Sequence, residues 1–149
     1  MTHAHDIALD ATDQRTYRLK DFRGRGLILI TYPKDTHGAC AEMIRHFDDA
    51  REQFATLGFT VVGMSRDLIK RHIAFKKAHN IDMLLLSDKD DELAKALNLQ
   101  GQVTVFDKQF SGLMRALMVY DKDGNVIHRM TNFDPASITE KLYDTLKNG

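Results

Sequence analysis

The sequence predicts an α/β protein with parallel strands at the centre of its sheet, and three observations support this. Two apolar segments rich in β-branched residues, 26–32 and 58–64, have the composition of strands that are covered on both faces. An amphipathic helical pattern lies between them. An antiparallel hairpin and a helix follow towards the C-terminal end. A strand, a helix and a second buried strand in this order form a right-handed crossover unit of a parallel sheet.

Apolar residues at steps of three and four predict the helices of the first two thirds. Between the two strands these residues are Met43, Ile44, Phe47, Ala50, Phe54 and Leu57. A second helical pattern covers 67–79, and Ser65 or Asp67 can cap its first amides. It leads into an apolar strand at 83–86 and a short helix near 91–97.

The sequence of the C-terminal third predicts two strands and a helix. Segments 113–120 and 126–130 flank Asp123-Gly124, which is a strong hairpin signal. Asp134 is predicted to cap the last helix, with Pro135 at its first position and Ile138, Leu142 and Leu146 on one face. The element order is that of a thioredoxin-like fold, a mixed sheet flanked by helices. A turn near 12–14 predicts an additional N-terminal hairpin within residues 1–19.

Length and charge predict one domain over residues 1–149 and exclude two classes of partner. The chain has 21 Lys and Arg against 21 Asp and Glu, so no field of one sign attracts nucleic acid or an anionic membrane. The first residues lack the basic and then apolar pattern of a secretory signal, and no apolar run approaches the roughly 20 residues that span a bilayer. We therefore expect a cytoplasmic protein.

Cys40 is the only cysteine and the main candidate for chemistry. It follows the loop after the first buried strand and lies at the start of a helix, where free amides and the helix dipole lower a thiol pKa from about 8.5 towards roughly 3.5 to 7.5. His37 lies one turn earlier, within reach of the sulfur. The alternatives are a buried structural cysteine and a solvated loop histidine. No metal site is expected, because no further ligands occur at a recognisable spacing.

Several motifs resemble those of the Q-type peroxiredoxins, also called bacterioferritin comigratory proteins, of the alkyl hydroperoxide reductase/thiol-specific antioxidant family. The resemblance covers nearly the whole chain in the right order. It is carried by Leu19-Lys-Asp-Phe-Arg-Gly24, Tyr32-Pro-Lys-Asp35, Cys40, Val62-Gly-Met-Ser-Arg-Asp67, Leu86-Ser-Asp88 and Glu92-Leu-Ala-Lys-Ala96.

The resemblance implies reduction of hydrogen peroxide or organic hydroperoxides by Cys40, without a cofactor. Arg115 corresponds to the family's arginine, which polarises the peroxide and stabilises the thiolate, and Pro33 to the proline that shields the sulfur from water. His37 occupies the position of the usual threonine, which implies altered or weaker catalysis. Gly38 and Ala39 stand where proline and glycine usually precede the cysteine.

The missing second cysteine has a consequence for the reaction cycle. Many family members carry a resolving cysteine where this chain has Arg45, so oxidised Cys40 must react with glutathione or a thioredoxin-like protein. The chain is expected to work as a monomer or homodimer. The altered residues before Cys40 leave one alternative, a catalytically weakened peroxiredoxin-fold redox sensor or protein-interaction module. General thiol-disulfide exchange is disfavoured by the absence of a Cys-x-x-Cys pair.

Overall fold

The computed structural model describes residues 4–35, 38–105 and 107–149. The strands in these ranges are β1 (Leu9–Ala11), β2 (Thr16–Tyr17), β3 (Gly26–Thr31), β4 (Phe59–Ser65), β5 (Leu84–Ser87), β6 (Gln100–Val105), β7 (Lys108–Leu113), β8 (Ala116–Tyr120) and β9 (Val126–Met130). The α-helices are α1 (Gly38–Asp49), α2 (Arg51–Thr56), α3 (Ile69–His79), α4 (Glu92–Ala96) and α5 (Ile138–Asn148), with 3₁₀ turns at Ala4–Asp6 and Leu19–Phe22.

The main sheet has the strand order β2-β1-β5-β4-β3-β8-β9. β3, β4 and β5 are parallel, whereas β8 pairs with β3 and β9 pairs with β8 in the antiparallel sense. The predicted crossover unit and both predicted hairpins are confirmed. Because the carboxyl ends of parallel strands meet at one edge of a sheet, the segments that follow Thr31, Ser65 and Ser87 lie close together.

β3 is buried along its whole length because both faces of the sheet are covered. Ile28 and Ile30 pack with α1 and α5 on one face, and Leu27 and Leu29 pack with the N-terminal segment and α4 on the other. Complete burial of such an aliphatic side chain stabilises the fold by about 1.5–3 kcal/mol relative to exposure. The central strand is therefore a rigid support for whatever is attached to its carboxyl end.

The helix predicted between β3 and β4 consists of two helices. The backbone at Ala50 leaves helical geometry, with φ of −90° and ψ of 2°, and α2 begins at the next residue. The apolar side chains that predicted this helix still face the core, since Met43, Ile44, Phe47 and Phe54 are all buried. The periodicity of the apolar residues thus predicted which face of α1 and α2 is buried, but it did not predict the break at Ala50.

The first residues of β8 and α5 differ from the prediction. β8 begins at Ala116, because the segment before it belongs to a separate hairpin of β6 and β7 that was not predicted. α5 begins at Ile138; Asp134 and Pro135 form a preceding turn, in which the Asp134 side chain accepts hydrogen bonds from the Ala136 amide and the Ser137 hydroxyl. No helix in the described ranges is long and apolar enough to cross a membrane.

Candidate active site

Cys40 lies in the first turn of α1, next to the carboxyl end of β3. Its side chain has no solvent exposure and belongs to the apolar cluster between the sheet and the helices α1 and α5. The side chain of Arg115 reaches this sulfur from the segment before β8, and its Nη2 donates a hydrogen bond to Sγ over 3.7 Å. The structure therefore brings together two residues that are separated by 75 positions in the sequence.

The backbone around Arg115 is held by neighbours on both sides. Ala116 pairs with Thr31 at the last position of β3, and the buried Thr31 hydroxyl donates a hydrogen bond of 2.7 Å to the Met114 carbonyl. The Met114 amide donates to the Leu99 carbonyl over 2.8 Å. These bonds fix the segment that carries Arg115 against the end of the strand that leads to Cys40.

A buried donor of the Arg115 guanidinium is unused among the described residues. The side chain as a whole is half-buried, but its Nε is buried and has no hydrogen-bond partner among the described residues. A buried N–H without an acceptor is costly, by about 1–3 kcal/mol, and such groups are rare in folded proteins. The arginine therefore offers a donor beside the sulfur to an incoming polar molecule.

Burial raises the pKa of the Cys40 thiol above its ordinary value of 9.0. The hydrogen bond and positive charge of Arg115 act in the opposite direction, as does a backbone hydrogen bond from Lys34, while the Asp35 carboxylate adds to the increase. The expectation of a lowered pKa is therefore wrong for this conformation. It considered the helix terminus but not the loss of hydration around a sulfur with no exposure.

The other predicted site residues surround Cys40 in the sequence, and most are closer to the surface. Pro33 and Ala39 are half-buried and Gly38 is exposed. His37 lies outside the described residues. The sulfur of Cys40 is thus more deeply buried than these three neighbours.

A network of buried polar side chains near Cys40 was not predicted. The Tyr32 hydroxyl donates a hydrogen bond of 2.6 Å to Oδ1 of Asp35, and Oδ2 of Asp35 lies 2.6 Å from Nδ1 of His72. The second ring nitrogen of His72, Nε2, lies 3.1 Å from the Leu86 carbonyl oxygen. Tyr32, Asp35 and His72 are at most 2% exposed, so this network is screened from solvent.

Ser65 and Asp67 complete the network from the carboxyl end of β4. Oδ2 of Asp67 accepts hydrogen bonds from the Asp35 amide, over 2.8 Å, and from the Ser65 hydroxyl, over 2.7 Å. The Asp67 amide donates in turn to the Ser65 oxygen over 3.0 Å. These contacts explain why neither residue caps α3, which begins after Leu68 without a side-chain cap.

The same cluster has the spacing of a metal site. Ligand atoms of Asp35, Asp67 and His72 all lie within 4.8 Å of one another. The hydrogen bonds described above already occupy these atoms, and they hold the residues without an ion. We therefore interpret the cluster as a hydrogen-bonded network.

The sequence contained a weak indication of this network. His72 occupies a position of the apolar stripe of α3, where a buried histidine needs polar partners. Asp35, Ser65 and Asp67 are polar residues near the ends of neighbouring parallel strands, where side chains from separate segments meet. Neither observation alone identifies which residues pair.

Comparison with known proteins places this geometry in context. A model described as the AhpC/TSA family matches residues 1–129. The chain is 31% identical to peroxiredoxin Bcp of Bacillus subtilis, over 97% of this chain and 92% of that protein. It is 24% identical to peroxiredoxin Bcp of Escherichia coli K12, also over 97% and 92% of the two chains.

A solved structure shows the same architecture. The bacterioferritin comigratory protein of Xanthomonas campestris, studied for its alkyl peroxide reduction activity, superposes with a TM-score of 0.89 and 23% identity, covering 97% of this chain and 92% of that one. This likeness establishes the fold. The predicted thioredoxin-like α/β fold is confirmed.

Proposed function

This chain belongs to the AhpC/TSA family, in its Q-type (bacterioferritin comigratory) group of peroxiredoxins, and from this membership we propose that it is a thiol-dependent peroxidase acting through Cys40. Its substrates are hydrogen peroxide or organic hydroperoxides. The observation that carries the proposal is the contact between Nη2 of Arg115 and Sγ of Cys40 at 3.7 Å. A guanidinium at this place stabilises a thiolate and the negative charge that develops on a peroxide oxygen.

In the first half-reaction the Cys40 thiolate attacks the terminal oxygen of the hydroperoxide. An S–O bond forms as the O–O bond breaks, and the departing alkoxide or hydroxide takes a proton to become an alcohol or water. The sulfur is oxidised to a sulfenic acid and the peroxide is reduced by two electrons. The buried Nε of Arg115, without a partner among the described residues, is the donor we assign to the peroxide oxygens.

Burial of the thiol makes this step depend on pH. Because the pKa of Cys40 is raised by desolvation, the thiolate is the minor form at neutral pH. The rate constant with peroxide should therefore rise about tenfold per pH unit towards that pKa. A plateau at or below pH 7, expected for a lowered pKa, would contradict this description of the site.

In the second half-reaction an external thiol reduces the sulfenic acid. One thiol displaces water and forms a mixed disulfide with Cys40, and a second releases the Cys40 thiol as the small disulfide leaves. A second protein thiol is absent because Cys40 is the only cysteine of the sequence. We propose glutathione or a thioredoxin-like protein as reductant, and the cytoplasm, where such thiols stay reduced, as the compartment.

The supporting residues of the loop are proposed from the sequence. Pro33 would shield the sulfur from water, Gly38 and Ala39 would supply backbone amides near it, and His37 would donate to the peroxide in place of threonine. His37→Thr tests the last role, because a neutral imidazole is larger than a hydroxyl and holds its two nitrogens further apart. We expect a faster reaction of His37→Thr with peroxide at unchanged Cys40 ionisation.

The main experiment is intact-mass spectrometry after one equivalent of hydrogen peroxide. The wild type should gain one oxygen and, with glutathione present, then form a single glutathione adduct. The seven methionines can also gain oxygen, so Cys40→Ser is the control that separates methionine from cysteine oxidation. A wild type that behaves like Cys40→Ser would contradict the peroxidase proposal.

Complete burial of Cys40 favours one second candidate, a redox sensor that is oxidised once and turns over slowly. Peroxide consumption with excess glutathione separates the two functions. Many equivalents consumed per chain support the peroxidase. A single equivalent, with persistence of the sulfenic acid or mixed disulfide, supports the sensor.

A further inference from the structure

Both ring nitrogens of His72 face hydrogen-bond acceptors. Nδ1 lies 2.6 Å from Oδ2 of Asp35, and Nε2 lies 3.1 Å from the carbonyl oxygen of Leu86. A carbonyl oxygen can only accept a hydrogen bond, so Nε2 must carry a proton to bond with it. The same holds for Nδ1 opposite an ionised carboxylate.

Ser65 cannot reverse this assignment. Its oxygen lies 3.4 Å from Nε2, but its single proton is used in the 2.7 Å hydrogen bond to Oδ2 of Asp67. The Ser65 hydroxyl therefore has no proton left to donate to the histidine. An ionised Asp35 beside a His72 that carries a proton on each ring nitrogen satisfies all of these contacts.

We propose that His72 is a positioning residue of the peroxidase site, which holds Asp35 and the loop before Cys40 in place and cancels the Asp35 charge beside the sulfur. This inference rests on the proposed peroxidase function. The ring nitrogens of His72 face Asp35 and the Leu86 carbonyl and not the sulfur. Its effect passes through Asp35.

The positioning role follows from where Asp35 is attached. Its carboxylate is held by Tyr32 and His72, and its amide donates to Asp67, so both its side chain and its backbone are fixed. The neighbouring residue, Lys34, supplies the backbone hydrogen bond that favours the Cys40 thiolate. Fixing Asp35 thus fixes the amide that faces the sulfur.

The electrostatic role follows from the groups that face the sulfur. Among the described residues they include Arg115 from the segment before β8, the Lys34 backbone and the Asp35 carboxylate from the loop after β3, and Tyr32, whose pKa the Cys40 charge helps to raise. Of these, the Asp35 charge disfavours the thiolate and raises the pKa of Cys40. A positive ring on the far side of Asp35 offsets that charge.

The first test measures the ring protons in the wild type. Nitrogen chemical shifts and ring N–H signals of His72 at neutral pH should show protons on both nitrogens. An unprotonated Nε2 or Nδ1 would overturn the proposal. This measurement needs neither a variant nor peroxide.

The second test measures Cys40 ionisation through its rate of alkylation by iodoacetamide across pH. His72→Gln removes the balancing charge while keeping an amide donor, and it should slow alkylation at neutral pH on the order of tenfold. Asp35→Asn removes the negative charge, so the double variant Asp35→Asn/His72→Gln should recover much of the lost rate. A loss of rate in each single variant, with the two losses adding in the double variant, would reveal a merely structural role and overturn the proposal.

A control variant and a fallback measurement complete these tests. His79→Gln, an exposed histidine on the same helix, should leave alkylation unchanged. If His72→Gln does not fold, the ring protons of the wild type and the alkylation rate of Asp35→Asn test the proposal. An Asp35→Asn alkylation rate at or below that of the wild type would overturn the electrostatic role. A wild type that meets these expectations but does not reduce peroxide would refute the proposed peroxidase function. The role of His72 in positioning Asp35 would then still stand.

Discussion

The two polar groups near Cys40 differ in how completely their hydrogen bonds are satisfied. Arg115 approaches from the β8 side of β3, is half-buried, and has a buried Nε without a partner among the described residues. The network of Tyr32, Asp35 and His72 lies on the β4 and β5 side, is screened from solvent, and has a partner for each polar side-chain atom.

This difference indicates that Arg115 and the buried network have different roles. A fully satisfied network gains nothing by binding a ligand, and it restricts the backbone that it holds. A donor that lacks an acceptor in the resting protein costs free energy, which is recovered when a polar substrate arrives. We therefore expect changes to Arg115 to act on the reaction rate, and changes within the network to act first on stability.

The largest effect is expected from Arg115→Gln. The substitution removes the charge that favours the thiolate and the donors that face the peroxide, so the second-order rate constant with peroxide should fall on the order of a hundredfold or more. The free energy of unfolding should change little, because the half-buried side chain has one hydrogen bond among the described residues. Stopped-flow peroxide kinetics and urea unfolding measure the two quantities.

Arg45→Gln is the matched control for that experiment. Arg45 is exposed on the same helix as Cys40, and its removal changes the net charge by the same amount. It should leave the rate nearly unchanged. A comparable loss of rate in both variants would attribute the effect to overall charge and not to the contact with the sulfur.

An intermediate effect is expected from Tyr32→Phe, which opens the satisfied network. The hydroxyl donates to the buried Asp35 carboxylate, and leaving that acceptor unpaired should lower the free energy of unfolding by about 1–3 kcal/mol. The rate with peroxide should fall by a smaller factor than in Arg115→Gln, since the His72 contact with Asp35 remains. Urea denaturation measures the loss of stability.

Tyr120→Phe is a control for Tyr32→Phe, because it also removes a buried tyrosine hydroxyl but breaks no hydrogen bond among the described residues. The Tyr120 hydroxyl is buried but has no hydrogen-bond partner among the described residues, and burial raises its pKa to about 12. Its removal should be neutral or stabilising by up to about 1 kcal/mol. If both tyrosine variants lost the same stability, the hydrogen bond to Asp35 would not be the cause.

The sequence predicted most of the sheet because its strands are locally distinctive. β3 and β4 are runs of β-branched and aliphatic residues, and they formed in the expected places with the expected direction. The hairpin of β6 and β7 was not predicted. Its strands, Gln100–Val105 and Lys108–Leu113, pair only with each other and are rich in polar residues and glycine, which are less typical of strands than β-branched residues.

The site was predicted in part for the same physical reason. The proximity of Cys40 and Arg115 was predicted because the resemblance extends to both of their motifs. The pair of His72 and Asp35 is separated by 37 positions and depends on three strands meeting at one edge of the sheet. The raised pKa of Cys40 depends on burial, which neighbouring residues in the sequence do not reveal.

A further effect concerns stability at alkaline pH and isolates the ionisation of the buried Cys40 thiol. In the unfolded chain the Cys40 thiol ionises near its ordinary value of 9.0, whereas in the folded protein burial raises its pKa. Between these two values the folded state binds more protons than the unfolded state, so the free energy of unfolding falls as pH rises through this window. The loss is about 1.4 kcal/mol for each unit by which the pKa is raised.

Comparison of the wild type with Cys40→Ser measures this loss. Urea unfolding under reducing conditions should give a steeper decrease of stability for the wild type between neutral pH and pH 10, the ordinary pKa of the tyrosines. Serine does not titrate there, and every other titratable side chain is present in both proteins. Parallel slopes would mean that Cys40 ionises at the same pH in both states, and that Arg115 compensates fully for the lost hydration of the sulfur.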